Sequence, residues 1–362
     1  MKNYLPVSLL FLTIFFFTCS TPEQNGTNEK FDIDIRVDPA VELFCTIQRL
    51  AGTHQYTWND FPKYVNEVDD YFGSFRDHPA IRLAIKLRNE NWINGSAPMA
   101  LAIYLNTPPQ LEPRNTFIPL PDDLDARWTE DITFEFIEAA RKFAVDSRFM
   151  EFYNGHQELY IQSVQNLYQN IKDEELIAWF HNYFGYKPDK YTIIIGMQNG
   201  YGNYGLKITR KESANEYISI IGVTSPFWRK VPRLSNNWII PTIVHEFCHS
   251  YINPLVDENY EKLRTAGEIM YRNRPPQDYT SDRIMLYEYL VRACTIRYSY
   301  AKNHRGAAKS QIWNYKKKGF PAIGGVVELL EKYEANRNKY VTMSDFMPLV
   351  VEYFNTYANS LD

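Results

Sequence analysis

The sequence predicts a mostly helical α+β fold: a helical N-terminal region, a small antiparallel sheet, one apolar helix and a helical C-terminal lobe. Three observations carry this. Apolar residues recur at helical spacing through most of the stretch from Pro39 to Phe184 and again beyond Val256. Between them Tyr191–Ile195, Leu206–Arg210 and Tyr217–Val223 are short runs rich in β-branched and aromatic residues, separated by Gly-rich or polar turns, which read as strands. Directly after them Ile240, Ile243, Val244 and Phe247 make one helix apolar enough to sit inside a core.

The chain opens Met1-Lys2-Asn3 and runs apolar from Tyr4 to Thr18. One positive charge followed by a short apolar core reads as a secretory leader over residues 1–18, since the run is shorter than the about 20 residues of a membrane-spanning helix. Phe17-Thr18-Cys19 is similar to a relaxed bacterial lipobox, in which Cys19 is lipidated and becomes the first mature residue. The alternative is an ordinary cleaved leader with an incidental cysteine. Residues 19–30 are polar, contain Pro22 and Gly26, and read as a tether to the folded part. These features predict an exported protein, lipid-anchored in the cell envelope.

From there Phe31–Val37 alternates apolar and charged residues, the pattern of a strand with one wet face. Helices are predicted over Val41–Leu50, Phe61–Phe72, Pro79–Asn89, part of Trp92–Thr107, Ile132–Val145, Phe152–Ile171 and Glu174–Phe184. The five prolines between Thr107 and Asp123 make that stretch an extended connection. The texture changes at Tyr186, which divides the chain into regions 31–185 and 186–362. Gly196–Gly205 carries four glycines and is a loop. It lacks the lysine and the helix start of a phosphate loop, so it reads as a hairpin connection, or as a rim through which Asn199, Tyr201 or Tyr204 touch a substrate. Helices then follow over Val256–Arg272, Ser281–Ala301, Ala322–Asn336 and Ser344–Tyr357.

Composition narrows the function classes. The net charge is −4, and Lys316-Lys317-Lys318 is the single basic run, read as a solvated face, so nothing predicts a nucleic-acid partner. Beyond Cys19 three cysteines remain, Cys45, Cys248 and Cys294. An odd number argues against a disulfide framework and for small buried side chains, with a Cys248–Cys294 bridge as the alternative.

The chemistry concentrates in His245-Glu246-Phe247-Cys248-His249. On a helix, His245 and His249 sit one turn apart on one face and can grip one zinc ion, while Glu246 can reach a water beside it. Pro241 suits the first turn of that helix and Asn253-Pro254 its end. A catalytic zinc site needs a third protein ligand. Glu288 is preferred, because it lies in an apolar helix among Leu286, Tyr287, Leu290 and Val291, where a buried carboxylate requires a partner. Glu268, at the shorter spacing, stays open, as do Glu258 and Asp282. Arg292, one turn beyond Glu288, is the ordinary ion-pair partner and can also orient a ligand. His54, His78, His156, His181 and His304 share no metal spacing and read as structural or exposed.

These residues resemble the zincin metallopeptidases of gluzincin type, in which a downstream Glu completes the His-Glu-x-x-His set. The whole chain also resembles zincin-like lipoproteins of Bacteroidota, a likeness that carries no activity with it. The zincin resemblance implies a sheet whose edge strand holds the substrate backbone, followed by the metal helix. It implies a zinc-dependent peptidase with His245, His249 and Glu288 on the metal and Glu246 as general base, acting on a peptide or protein substrate. Arg292, Tyr298 or a loop tyrosine are the candidates to stabilise the oxyanion. Two other readings stay open: a non-catalytic envelope lipoprotein binding peptide or glycan, and an amidase or glycan hydrolase acting on cell-wall peptides. The leader generates a first prediction. Cys19→Ala releases a soluble protein or leaves uncleaved precursor, and metabolic labelling with a fatty acid marks the wild type; an unlabelled wild type overturns the anchor.

Overall fold

The computed structural model describes residues 33–361 apart from 115–116, 210–214, 227 and 274–280. The leader, Cys19, the tether 19–30 and the expected Pro275-Pro276 break lie outside the described residues. The organising element is a four-stranded mixed sheet of β1 (Ile33–Arg36), β2 (Lys190–Gly196), β3 (Tyr204–Ile208) and β4 (Glu216–Gly222), in the order β1-β2-β4-β3. β1 and β2 are parallel, β2 and β4 are parallel, and only β3 and β4 are antiparallel.

This corrects the expectation of a small antiparallel sheet. β3 and β4 do form a hairpin, yet β3 does not pair with β2: the chain passes over β4 and lays β3 on its far side. The physical reason lies in the strands themselves. β2 and β4 are buried along nearly their whole length. Strands covered on both faces carry continuous apolar runs, which is how parallel pairs read. The terminal strand β1 joins the same sheet, so the regions 31–185 and 186–362 share it within one compact unit, Asp32–Asp362.

The N-terminal helices are α1 (Pro39–Leu50), α2 (Pro62–Phe72), α3 (Pro79–Asn91), α4 (Ala97–Ala102), α5 (Glu130–Asp146), α6 (Phe149–Gly155), α7 (Gln157–Ile171) and α8 (Leu176–Phe184). Helix α1 is buried from Ala40 to Leu50 and starts on a cap: the Asp38 carboxylate accepts from the N–H groups of Ala40 and Val41, with Pro39 at the first position. Where one helix was expected over Phe152–Ile171 there are two, because the backbone leaves helical geometry at His156. That imidazole faces the Phe152 carbonyl through Nδ1 and Glu67 through Nε2, at 2.7 and 2.8 Å.

Helix α9 (Asn236–Glu258) carries His245 and His249. It is longer than its prolines suggest, since Pro241 lies well inside it and Pro254 does not end it. The turn past Pro254 is held by Leu255 and Val256, which are buried, so burial outweighs the missing N–H. Helices α10 (Tyr260–Asn273), α11 (Asp282–Ala301), α12 (Arg305–Lys317), α13 (Ile323–Ala335) and α14 (Met343–Asn359) complete the C-terminal lobe. Helix α12 has no counterpart in the sequence reading: Ala308 is its one buried residue, so it shows no apolar period.

The sheet rests on α9 through aromatic side chains. Tyr191 packs edge-on to Phe247, Tyr217 edge-on to Tyr251, and Phe184 stacks on Tyr251 with centroids 4.1 Å apart. Residues alternate between faces along a strand, so Ser219, two beyond Tyr217, turns to α9, and so does its β3 partner Gly205. Gly205 has to be glycine there. A Cβ on it would stand 1.9 Å from the Glu246 carbonyl oxygen and 2.8 Å from the His249 Cβ. Gly205→Ala is therefore expected to cost at least about 1–3 kcal/mol in urea unfolding. Gly306→Ala, whose Cβ meets nothing within 4 Å, leaves stability unchanged or raises it by less than about 1 kcal/mol. Equal effects at the two positions would overturn the close approach.

Candidate metal centre

Helix α9 presents His245 and His249 one turn apart, and α10 brings the chain back so that α11 packs against α9 with Glu288 facing them. Gly267 permits that return, because a Cβ there would stand 3.0 Å from Asp282 Oδ2 and from Leu286 Cδ1. The two imidazoles meet Nε2 to Nε2 at 3.2 Å. The carboxylate straddles them, with Oε2 at 3.6 Å from His245 Nε2 and Oε1 at 3.5 Å from His249 Nε2. Among the described residues this is the one group of three or more His, Cys, Asp or Glu side chains spaced to hold a metal ion.

The arrangement fits a zinc ion on chemical grounds. A tetrahedron with arms of about 2.0–2.2 Å has edges of about 3.3–3.6 Å, the scale of the three separations above. Two imidazole nitrogens and one carboxylate oxygen form the donor set of a catalytic site, which leaves a fourth position open. Glu288 Oε2 is buried and accepts no hydrogen bond, although Arg292 Nη2 stands 2.9 Å from it. His249 Nδ1 lies 3.1 Å from Asn253 Oδ1; with the ring proton on that nitrogen, the lone pair of Nε2 is aimed into the cluster.

Burial and charge set the protonation of the group. Burial pushes the His245 imidazole down to about 3, against the pull of the Glu288 charge. Burial lowers His249 as well, but the hydrogen bond and charge of Glu288 carry it up to about 8. Burial opposes ionisation of Glu288, yet His245, His249 and Arg292 together hold its carboxyl well below the usual range. Glu246 is buried beside the cluster. Desolvation and the Glu288 charge raise it to about 7, while His249, Arg292 and the Gly205 N–H favour its ionised form.

The other candidates separate clearly. Glu268 and Glu258 are exposed, and Asp282 accepts from the Tyr260 hydroxyl at 2.7 Å. Arg292 is directed at Glu288 and stacks on the rings of Tyr315 and Phe320, 4.4 and 4.8 Å from their centroids. Tyr298 is a correction: it lies ten residues beyond Glu288 on α11, and its hydroxyl donates to Glu174 at 2.9 Å, so it does not face the cluster. Asn199 is another, since it is buried and accepts from the Cys45 thiol at 2.8 Å, a tether for the Gly-rich loop and not a rim. Tyr201 is exposed and meets Trp58 edge-on. Tyr204 is the loop tyrosine that feels the Glu246 charge, although its hydroxyl is engaged with that of Tyr56. Cys45, Cys248 and Cys294 are free and buried, with the Cys248 and Cys294 thiols facing each other unbridged.

Two contributors went unread in the sequence. Asn253 continues the His245–His249 face by one more turn, a spacing that could have flagged it. The Gly205 N–H carried no such signal, because it depends on how β3 crosses α9.

The comparisons with known proteins come down to a family. No curated protein and no solved structure matches the chain. A family model described as Domain of unknown function (DUF4932) matches residues 33–353, which is most of the chain and includes every residue of the cluster. The chain belongs to the DUF4932 family.

Proposed function

We propose that this chain is a zinc-dependent peptidase, exported and held in the cell envelope by a lipid on Cys19, with peptides or proteins as substrates. The single observation that supports the reading most is the convergence of His245, His249 and Glu288 beside a buried Glu246. Zinc held by the first three residues supplies Lewis acidity that makes a water nucleophilic near neutral pH. Glu246 takes the proton of the attacking water and later delivers it to the leaving amine. Asn253 orients His249, and Arg292 orients Glu288. The edge strand β3, which crosses α9 at the motif, offers main-chain hydrogen bonds to an extended peptide, a mode of binding that tolerates many sequences.

Metal analysis of the purified protein is expected to find one zinc per chain. Glu288→Gln is expected to weaken zinc binding by more than the about 10–100-fold that outer partners typically cost, while Glu268→Gln leaves it unchanged. Zinc retained at full affinity in Glu288→Gln would refute the assignment.

Glu246→Gln keeps all three ligands and removes the base. Zinc content should stay at the wild-type level while turnover in a peptide-library digest falls about 100-fold or more. Unchanged turnover excludes Glu246 as the base. A zinc-loaded wild type that cuts nothing in a broad library favours a binding protein instead.

A further inference from the structure

Helix α12 has two unlike faces. Gln311 takes part in a 3.2 Å hydrogen bond with Ser299, and Tyr315 carries the Arg292 guanidinium on its ring, so these residues and Ala308 turn to the lobe. Arg305, Lys309, Trp313 and Lys317 follow one another at intervals of one turn and are all exposed. Trp313 is 58 % exposed, and Lys317 Nζ sits 3.4 Å from the centroid of its ring. Lys302 precedes α12, and Lys316 and Lys318 lie at its C-terminal end.

Residues 302–319 therefore hold six lysines and arginines and no acid, in a chain whose net charge is −4. Among the described residues none of the six forms an ion pair with a carboxylate, whereas Arg297 close by pairs with both Glu331 and Glu334. Internal stability does not explain the pattern. Cations suit the C-terminal end of a helix, as Lys302 does on α11 and Lys316 and Lys317 do on α12, but Arg305 stands at the N-terminal end of α12, where the macrodipole disfavours it. Among the described residues the large exposed indole has only the Lys317 head against its ring.

We propose that the Arg305–Lys309–Trp313–Lys317 face of α12 is a docking surface for an anionic lipid headgroup layer. Such a layer meets both halves of the pattern, because its charges take the cations and the apolar boundary beneath them takes the indole. A single-stranded nucleic acid is the less suitable occupant: it calls for a groove that tracks the backbone and several aromatic platforms, and this face is a convex helix with one indole. Docked in this way, α12 also fixes the height of the candidate metal centre over the surface, since Tyr315 on its inner side bears the Arg292 that reaches Glu288. The proposal does not depend on the zinc reading or on the lipid at Cys19.

The test uses residues 32–362, which contain every described element in one compact unit and leave out the leader and Cys19. Co-sedimentation is measured with vesicles of phosphatidylcholine alone and of phosphatidylcholine with phosphatidylglycerol. Binding is expected to the anionic vesicles only and to weaken with salt. Lys309→Gln and Lys317→Gln are each expected to reduce partitioning about fivefold, and Trp313→Ala to reduce it with no change in charge. Lys86→Gln and Lys172→Gln, which remove exposed cations elsewhere, leave it unchanged. Equal binding to both vesicles, equal losses in the Lys86 and Lys172 variants, or binding of single-stranded nucleic acid without binding of anionic vesicles would each overturn the proposal.

Discussion

Two imidazoles and two carboxylates are enclosed between helices that are otherwise apolar where they meet, and the surrounding structure is arranged to make that tolerable. A buried charge is stable only when it is paired. Glu288 faces His245, His249 and Arg292 at once, so its negative charge is shared by groups from both helices. Arg292 in turn is held by the faces of Tyr315 and Phe320, which ties α12 and the stretch after it to the same cluster. Removing Glu288 or Arg292 leaves the other's buried charge without its partner, which is why the group behaves as a unit.

The opposite side of the cluster is held by the sheet, and the sheet is held by another buried carboxylate. Glu42 on α1 is fully enclosed. It accepts from the Met197 N–H at 2.8 Å, from Gln198 Nε2 at 3.0 Å and from the Tyr64 hydroxyl at 3.1 Å. These bonds clamp the base of the Gly-rich loop, and Cys45 secures Asn199 one residue further on. The loop leads straight into Tyr204 and Gly205, the point where β3 meets α9. Burial raises Glu42 to about 7 even against its hydrogen-bond donors and the charge of His156. A carboxylate of this kind contributes stability that is complete below about 4.5, the ordinary Glu value, and declines as pH rises through about 7.

Much of this was legible in the sequence where burial and period coincide. The His245–His249 pair needed only helical spacing, and Glu288 was picked out by being an acid in an apolar helix, a judgement about burial and not about distance. What stayed illegible depends on tertiary context. Pro254 reads as a helix stop until Leu255 and Val256 are known to be buried. Tyr298 reads as a site residue until α11 is known to run ten residues past Glu288 toward Glu174. Helix α12 has no apolar stripe to read, since its stability comes from one small buried residue and a few contacts to α11 and α13. The Lys316–Lys318 run was visible, but the exposed line from Arg305 to Lys317 appears only once the helix exists.

The order of the strands matters most for the site. In a meander following the sequence, β3 would lie between β2 and β4, and both rows of its backbone groups would be used within the sheet. In the observed order β4 takes the central place, fully buried, and β3 becomes the edge. An edge strand keeps one row of N–H and C=O groups outside the ladder. Two backbone groups of β3 also serve α9: Ser250 donates to the Leu206 carbonyl at 2.9 Å, and the Gly205 N–H supports the Glu246 charge. The parallel crossover that the sequence did not reveal is thus what brings an unpaired strand edge onto the helix that carries the histidines. The glycine at that crossing lets the backbone approach closely enough to touch the candidate base.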